Sequence, residues 1–375
     1  MAKYWSDRMI QERTRFRDLT GRGIGALPTG PVNAITDVAG VEVGHVTVFH
    51  GEPPGSPGQG PARTGVTVIW PGHRDVFERP VPAGTHVLAG TGEIICMTEI
   101  DELGMLASPI LLTNSMQIGS VYDATARYMM RRNPAIARTT HVVMPVVGEC
   151  DDSFLNDSRG MHVQPDHVHE ALDSASNGWV EEGAVGAGTG MICMGFKGGI
   201  GTSSRVVEIG EDAYTVGVLV MTNYGRRRRL TIGGRLIGPD LPDLLPEIGA
   251  APPPGGRHGE GSAIVVAATD APLTGHQLAR LAKRAAFGLV RVGSAGGNGS
   301  GELALAFSTA YTLNESPHYS VNLLNNFVTD ELFEAAVDAA EEAIINSMGV
   351  ATTTVGRDGN TVHALPLDRL AELLG

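Results

Sequence analysis

The step Gly261-Ser262 joins two unlike stretches of chain. Upstream lies APPPGGRHGEG (residues 251–261), which has nothing to bury and no period to fold on. Downstream lies SAIVVAATD (262–270), an apolar run that reads as a fully buried strand. A serine opening such a strand is an odd choice, because its hydroxyl needs a buried partner. The choice makes sense if the preceding peptide bond is cut. Ser262 then becomes an N-terminus, with a hydroxyl nucleophile and a free α-amine on one residue. That amine has a reference pKa of roughly 7.7–8.0, so it can serve as the local base without a histidine. Glycine at 261 removes the Cβ that would obstruct attack of Ser262 Oγ on the Gly261 carbonyl, and it tolerates strained geometry. The Pro- and Gly-rich linker gives the severed end room to move away. Taken alone, a Gly-Ser step after a loop is common, so these residues leave an ordinary strand start open as well.

Other chemistry-bearing groups fit their motifs poorly. The glycine run VGAGTGMICMGFKGGIGTSSR (185–205) invites a phosphate-binding reading. A Walker loop needs GxxxxGK[ST], and here Phe196 separates glycine from Lys197. A dinucleotide fingerprint fails too, since GAGTGM lacks its third glycine. The run reads instead as glycine turns flanking a strand, bringing backbone amides close to another segment or a ligand. His162, His167 and His169 lie near Asp166 and Glu170, yet helical spacing sends 167 and 169 to different faces, so no metal site is expected. No GxSxG elbow is present. Cys150 follows Glu149, and an adjacent carboxylate raises a thiol's pKa, so Cys150 reads as a buried structural residue. The run RRRR (226–229) reads as a solvated hairpin tip, with a collar for a substrate carboxylate as the alternative.

Elements that must position Ser262 are legible from periodicity. Strand-like runs include residues 34–50, 64–71, 141–149 (ending on the Glu149 carboxylate), 213–225 and the stretch after Ser262. Helical spacing appears over 120–134, 165–175, 274–289 and 332–348. Pro134 and Pro165 mark a helix end and a helix start. Buried strands need cover on both faces, which layers of sheet and helix supply. The compositional break at 246–261 falls within one domain, since the segment after it would lack strand partners if alone.

Composition limits the class further. The chain has 375 residues, 42% of them hydrophobic, and a formal net charge of −13. It reads as a globular protein, and the negative charge argues against nucleic acid as the main partner. Apolar stretches are too short for a membrane span, and residues 1–23 contain no hydrophobic signal segment. Three scattered cysteines make no disulfide framework, so the expected compartment is the reducing cytoplasm.

Several blocks resemble the DmpA-type peptidases, the L-aminopeptidase/D-amino-acid esterase-amidases and β-peptidyl aminopeptidases of peptidase family S58. They are NAITDVAGVEVGH (33–45), RTGVTVIWP (63–71), MPVVGE with LND (144–157), GAGTGM with GFKGGIGTSSRVV (186–207), YTVGVLVMTNYG (214–225), GSAIVVAATDAPLTGHQLARLAKRAAFG (261–288) and GSGELALAFST (299–309). Order and spacing hold over nearly the whole chain. The resemblance implies an α/β (α+β) four-layer αββα sandwich, like that of N-terminal nucleophile hydrolases but with its own connectivity. It implies a single domain, 1–375, self-cleaved into 1–261 and 262–375 and assembled as a homo-oligomer, a tetramer of two-chain protomers. Ser262 would be the nucleophile and Gly261 the residue before the cut. Asn223 would donate to the oxyanion, Ser300 and Glu302 would complete the hydrogen-bond network, and Glu149 would hold the substrate's ammonium. The implied activity is a cofactor-free, metal-free aminopeptidase releasing small N-terminal residues from peptides, amides or esters, with β-amino acids leading and L-residues next. An acyltransferase sharing the same acyl-enzyme, or an uncut binding protein of this fold, are the alternatives. One departure concerns Asp151, where the D-amidase members carry tyrosine; it puts D-amide activity in doubt and adds negative charge near the ammonium pocket.

Overall fold

Apolar runs with both faces buried stack into sheets that lie face to face. The computed structural model describes residues 14–250, 261–313, 316–318 and 320–375. One mixed sheet has the order β1 (Glu42–His50), β2 (Ala62–Trp70), β5 (Ile110–Asn114), β6 (Val146–Cys150). The other has the order β4 (Met105–Leu106), β3 (Val81–Gly90), β14 (Gly301–Ser308), β13 (Ser262–Thr269), β10 (Asp212–Asn223), β9 (Ile200–Ile209). Two-residue strands form three side hairpins: β7 (Ile192–Cys193) with β8 (Phe196–Lys197), β11 (Thr231–Ile232) with β12 (Arg235–Leu236), and β15 (Thr354–Val355) with β16 (Thr361–Val362). The helices are α1 (Phe16–Thr20), α2 (Met97–Leu103), α3 (Ile118–Arg132), α4 (Pro165–Ser174), α5 (Gly275–Val292), α6 (Asp330–Gly349) and α7 (Leu367–Leu374).

The side chains of β13 show why its sequence is apolar throughout. Ile264, Val266 and Ala268 point between the sheets, where they meet Leu112 and Val146. Ala263, Val265 and Ala267 point the other way, onto Leu278 and Leu281 of α5 and Ile344 of α6. On the far side, α3 and α4 cover the first sheet through Val121, Ala124, Val168 and Leu172. The layers are therefore helix, sheet, sheet, helix, as expected. β13 and β14 run parallel and are joined by α5, which starts on a capping box between Thr274 and Gln277. Among the described residues, no helix is long and apolar enough to cross a membrane.

Three local expectations fail. The strand expected over 141–149 begins only at Val146, because Pro145 before it has no N–H for a ladder. The arginine run is solvated at Arg226, Arg228 and Arg229, but it forms a 3-10 turn (227–229) and not a hairpin tip, and Arg227 departs from the expectation. Arg227 is buried over the Phe196 ring, and its five N–H groups reach the carbonyls of Met194, Gly195, Leu241, Asp243 and Leu244. The unpatterned segment also starts later than residue 246: Glu247 pairs through its backbone with Thr361, and Ala250 N donates to Asp358 O at 2.8 Å. Residues 251–260, which hold most of the expected linker, lie outside the described residues.

A buried ion pair anchors the N-terminal arm. Glu342 of α6 accepts from Arg205 at 2.8 Å, Arg17 at 3.1 Å, Asn33 at 2.7 Å and the Ile24 amide at 3.1 Å. Burial alone would raise its carboxyl, but Arg205 and these donors hold it below the ordinary value of 4.5. Removing one partner of such a pair strands the other in the interior. Glu342→Gln should cost about 3–5 kcal/mol in denaturant unfolding at neutral pH. Because the native carboxyl is depressed, that stability is present above its ordinary pKa and is lost as pH falls. The gap between parent and variant should therefore narrow in acid, and a gap independent of pH would contradict the pairing.

Candidate active site

Register places Ser262, at the head of β13, opposite Asn223, the last residue of β10, and opposite Gly301 at the start of β14. Ser300 Oγ donates to the Gly261 carbonyl at 2.6 Å and lies 2.8 Å from Glu302 Oε1. One hydroxyl proton thus serves two acceptors. Glu302 is only 2% exposed, and Ser294 Oγ sits 2.6 Å from each of its carboxylate oxygens. Ser294 follows Gly293, where α5 ends, and its amide closes on the Leu289 carbonyl at 2.9 Å. The end of the helix thereby delivers a second hydroxyl to the buried carboxylate.

Two contacts orient the Asn223 carboxamide. The Ile192 amide donates to Oδ1 at 2.9 Å, and Nδ2 donates to the Asp151 carbonyl at 2.8 Å. Nδ2 carries a second hydrogen beyond the one given to Asp151. It lies 3.4 Å from the point where a Cβ on Gly261 would sit. That Cβ would fall 1.9 Å from the Asn223 carbonyl oxygen, so only glycine fits before Ser262.

Glu149 reaches the same place from the facing sheet. Its Oε1 accepts from the Glu93 amide at 3.1 Å, and its Oε2 accepts from the Ser115 hydroxyl. Burial pushes its carboxyl above the ordinary value; the Ser115 and Glu93 donors pull it down, and the charges of Asp151 and Glu93 push it up again. A methyl on Gly92 would lie 3.4 Å from Glu149 Oε1 and 3.5 Å from Ser262 Oγ. The carboxylate and the serine therefore both come close to the Gly92 backbone, where the same methyl would also lie 2.9 Å from Gly301 Cα. Asp151 contributes its backbone to Asn223, while its exposed carboxylate turns back to the Ser153 amide at 2.9 Å.

All the residues singled out in sequence, Ser262, Gly261, Asn223, Ser300, Glu302 and Glu149, thus meet at one end of the sandwich. The histidines do not. His167 caps its own helix by accepting from the Gln164 amide, His169 lies against Tyr128, and His162 lies edge-on to His50. Cys150 is fully buried, and burial followed by the charges of Glu149, Asp151 and Asp152 pushes its thiol far up. Ser294, Ser115 and Gly92 were missed in sequence. Each is an ordinary loop or turn residue by type, and no local spacing links it to the strand it serves.

The sequence profile described as Peptidase family S58 matches residues 33–362. The chain is 44% identical over 353 residues to the β-peptidyl aminopeptidase BapA of Sphingosinicella xenopeptidilytica, covering 92% of this chain and 87% of that one. A β-aminopeptidase structure from a Burkholderia species superposes with a TM-score of 0.86 at 41% identity, over 96% of this chain and 98% of that one. The L-aminopeptidase D-Ala-esterase/amidase of Ochrobactrum anthropi, described as a prototype of the serine aminopeptidases with a variant N-terminal nucleophile hydrolase fold, gives a TM-score of 0.87 at 41% identity over the same shares.

The steric requirement at Gly261 is testable without reference to activity. In a Ser262→Ala background, where the chain stays whole, Gly261→Ala must push the head of β13 off the Asn223 carbonyl, and overpacking of this kind costs about 1–3 kcal/mol. Denaturant unfolding should show that loss, and an unchanged midpoint would contradict the close approach.

Proposed function

The chain belongs to peptidase family S58 and is a serine-type aminopeptidase acting on peptides, and from that premise we propose that it matures by cutting its own Gly261–Ser262 bond and then works through Ser262. The observation that carries this reading is the Ser300 hydroxyl, 2.6 Å from the Gly261 carbonyl at the head of a fixed strand. Ser262 Oγ attacks that carbonyl carbon, a C–O bond replaces the C–N bond, and the hydroxyl proton passes to the departing amide nitrogen. Water then hydrolyses the ester, leaving a carboxylate on Gly261 and a free amine on Ser262. The two chains, 1–261 and 262–375, stay together, because β13 remains paired with β10 and β14 with β3.

In the mature enzyme the Ser262 amine takes the proton from its own hydroxyl as Oγ attacks the substrate carbonyl. Asn223 offers its second Nδ2 hydrogen to the developing oxyanion; one such fixed donor contributes about 3–4 kcal/mol in known cases. Ser300 and Glu302, held by Ser294, orient the Ser262 amine. The leaving amine departs with a proton, and water releases the acyl group from Ser262. Glu149 holds the substrate's N-terminal ammonium, and its separation from Ser262 beside Gly92 sets the length of the residue released. Small β-amino acids are the leading class, supported by the names of the Sphingosinicella and Burkholderia relatives, with short L-peptides, amides and esters next. We take the working unit to be a cytoplasmic homo-oligomer, a tetramer of two-chain protomers. The solvent-facing Phe287, Val290 and Phe327, the last 92% exposed, support association.

Maturation and catalysis should respond differently to the loss of Glu149. Self-cleavage presents no free ammonium, since Ser262 is then still acylated by Gly261. Glu149→Gln should therefore be cut normally yet lose about 2 kcal/mol or more of transition-state binding, roughly 30-fold in kcat/KM. N-acetylated substrates should be refused by the parent. If Glu149→Gln keeps the parental rate on free-amine substrates while Asp151→Asn does not, the ammonium belongs to Asp151.

A further inference from the structure

Lys197 is a buried cation for which the reaction just described has no use. It ends the β7–β8 hairpin inside the glycine-rich run and has no exposed surface. Its Nζ donates to the carbonyls of Gly188 at 3.1 Å, Met191 at 2.7 Å and Gly198 at 2.8 Å. Three carbonyl dipoles replace the water or carboxylate that a buried ammonium ordinarily requires. Burial pushes the Lys197 pKa down to about 7, while the nearby Cys193 and Asp152 work in the opposite direction. Three donations from one nitrogen need all three ammonium hydrogens, so the geometry of this cradle fits the charged form.

The Met191 carbonyl, which takes the shortest of the three bonds, belongs to the Met191–Ile192 peptide group. The N–H of that same group donates to Asn223 Oδ1 at 2.9 Å. A continuous line therefore runs from the ammonium through one peptide unit to the carboxamide beside Ser262. Hydrogen bonds in such a chain polarise one another in a low-dielectric interior. The ammonium draws electron density onto the Met191 oxygen and strengthens the Ile192 N–H as a donor. That donor in turn draws density onto Asn223 Oδ1, leaving the Nδ2 hydrogens more positive and the carboxamide fixed in one orientation.

We propose that Lys197 is a positioning residue for the oxyanion site, acting on Asn223 through the Met191–Ile192 peptide group. The inference rests on the reading of Asn223 as the oxyanion donor, and a double-mutant cycle separates the two. In Lys197→Met, kcat per cut chain on a β-alanyl amide should fall tenfold or more, with KM within about twofold of the parent. In an Asn223→Ala background the same substitution should cost nothing further, and Ile192→Pro, which keeps the lysine but removes the linking N–H, should reproduce the loss. A fall in kcat from Lys197→Met that is equally large with and without Asn223 overturns the coupling. Should Lys197→Met fail to fold, Ile192→Pro decides, and parental kcat there overturns the proposal. Parental kcat in Asn223→Ala alone would overturn the oxyanion reading itself, and the coupling with it.

Discussion

The head of β13 is held on every side, and the site depends on that. Its residues are buried against both neighbouring layers, and its edges are hydrogen-bonded to an antiparallel strand and a parallel one. Ser262 cannot drift without breaking the middle of a six-stranded sheet. Gly261, just before it, is squeezed against the Asn223 carbonyl, and its own carbonyl is met by Ser300. A strained or mobile loop could present a peptide bond to a nucleophile only part of the time. A strand end presents it continuously, which is the positional advantage that intramolecular attack requires.

Around that fixed point the protein places charges where water is scarce and satisfies each with a small number of dipoles. Glu302 has the hydroxyls of Ser294 and Ser300, Glu149 has the Ser115 hydroxyl and the Glu93 amide, and Lys197 has three carbonyls. Dipoles set in advance need not reorganise as charge develops, which is where such sites gain most. The partners come from both sides of residue 261, so a cut there would leave the arrangement standing. It would also free the one group the intact chain lacks, the Ser262 amine.

How much of this was legible in the sequence varied with the range of the interactions. β13, α5 and α6 follow from local apolar patterns, and the layered fold follows from strands with two apolar faces. The apolar run overstates β6 because it continues through Pro145, where a missing N–H outweighs hydropathy. Arg227 looked solvated within its charge run, and only the fold brings five carbonyls around it. Asn223, Ser300, Glu302 and Glu149 stood out through family resemblance; by spacing alone each is an ordinary turn, loop or strand-end residue. Ser294, Ser115 and Gly92 act across segments far apart in sequence, so nothing local marks them.

The proposed self-cleavage makes Ser262 an N-terminus by the chain's own chemistry. Intact mass and N-terminal sequencing of the purified protein test it directly, with Ser262→Ala prepared alongside. Two chains are expected, 1–261 and 262–375, the second beginning with Ser262, together with a Ser262→Ala protein that stays whole and inactive. A fully active enzyme that remains a single uncut chain would contradict it.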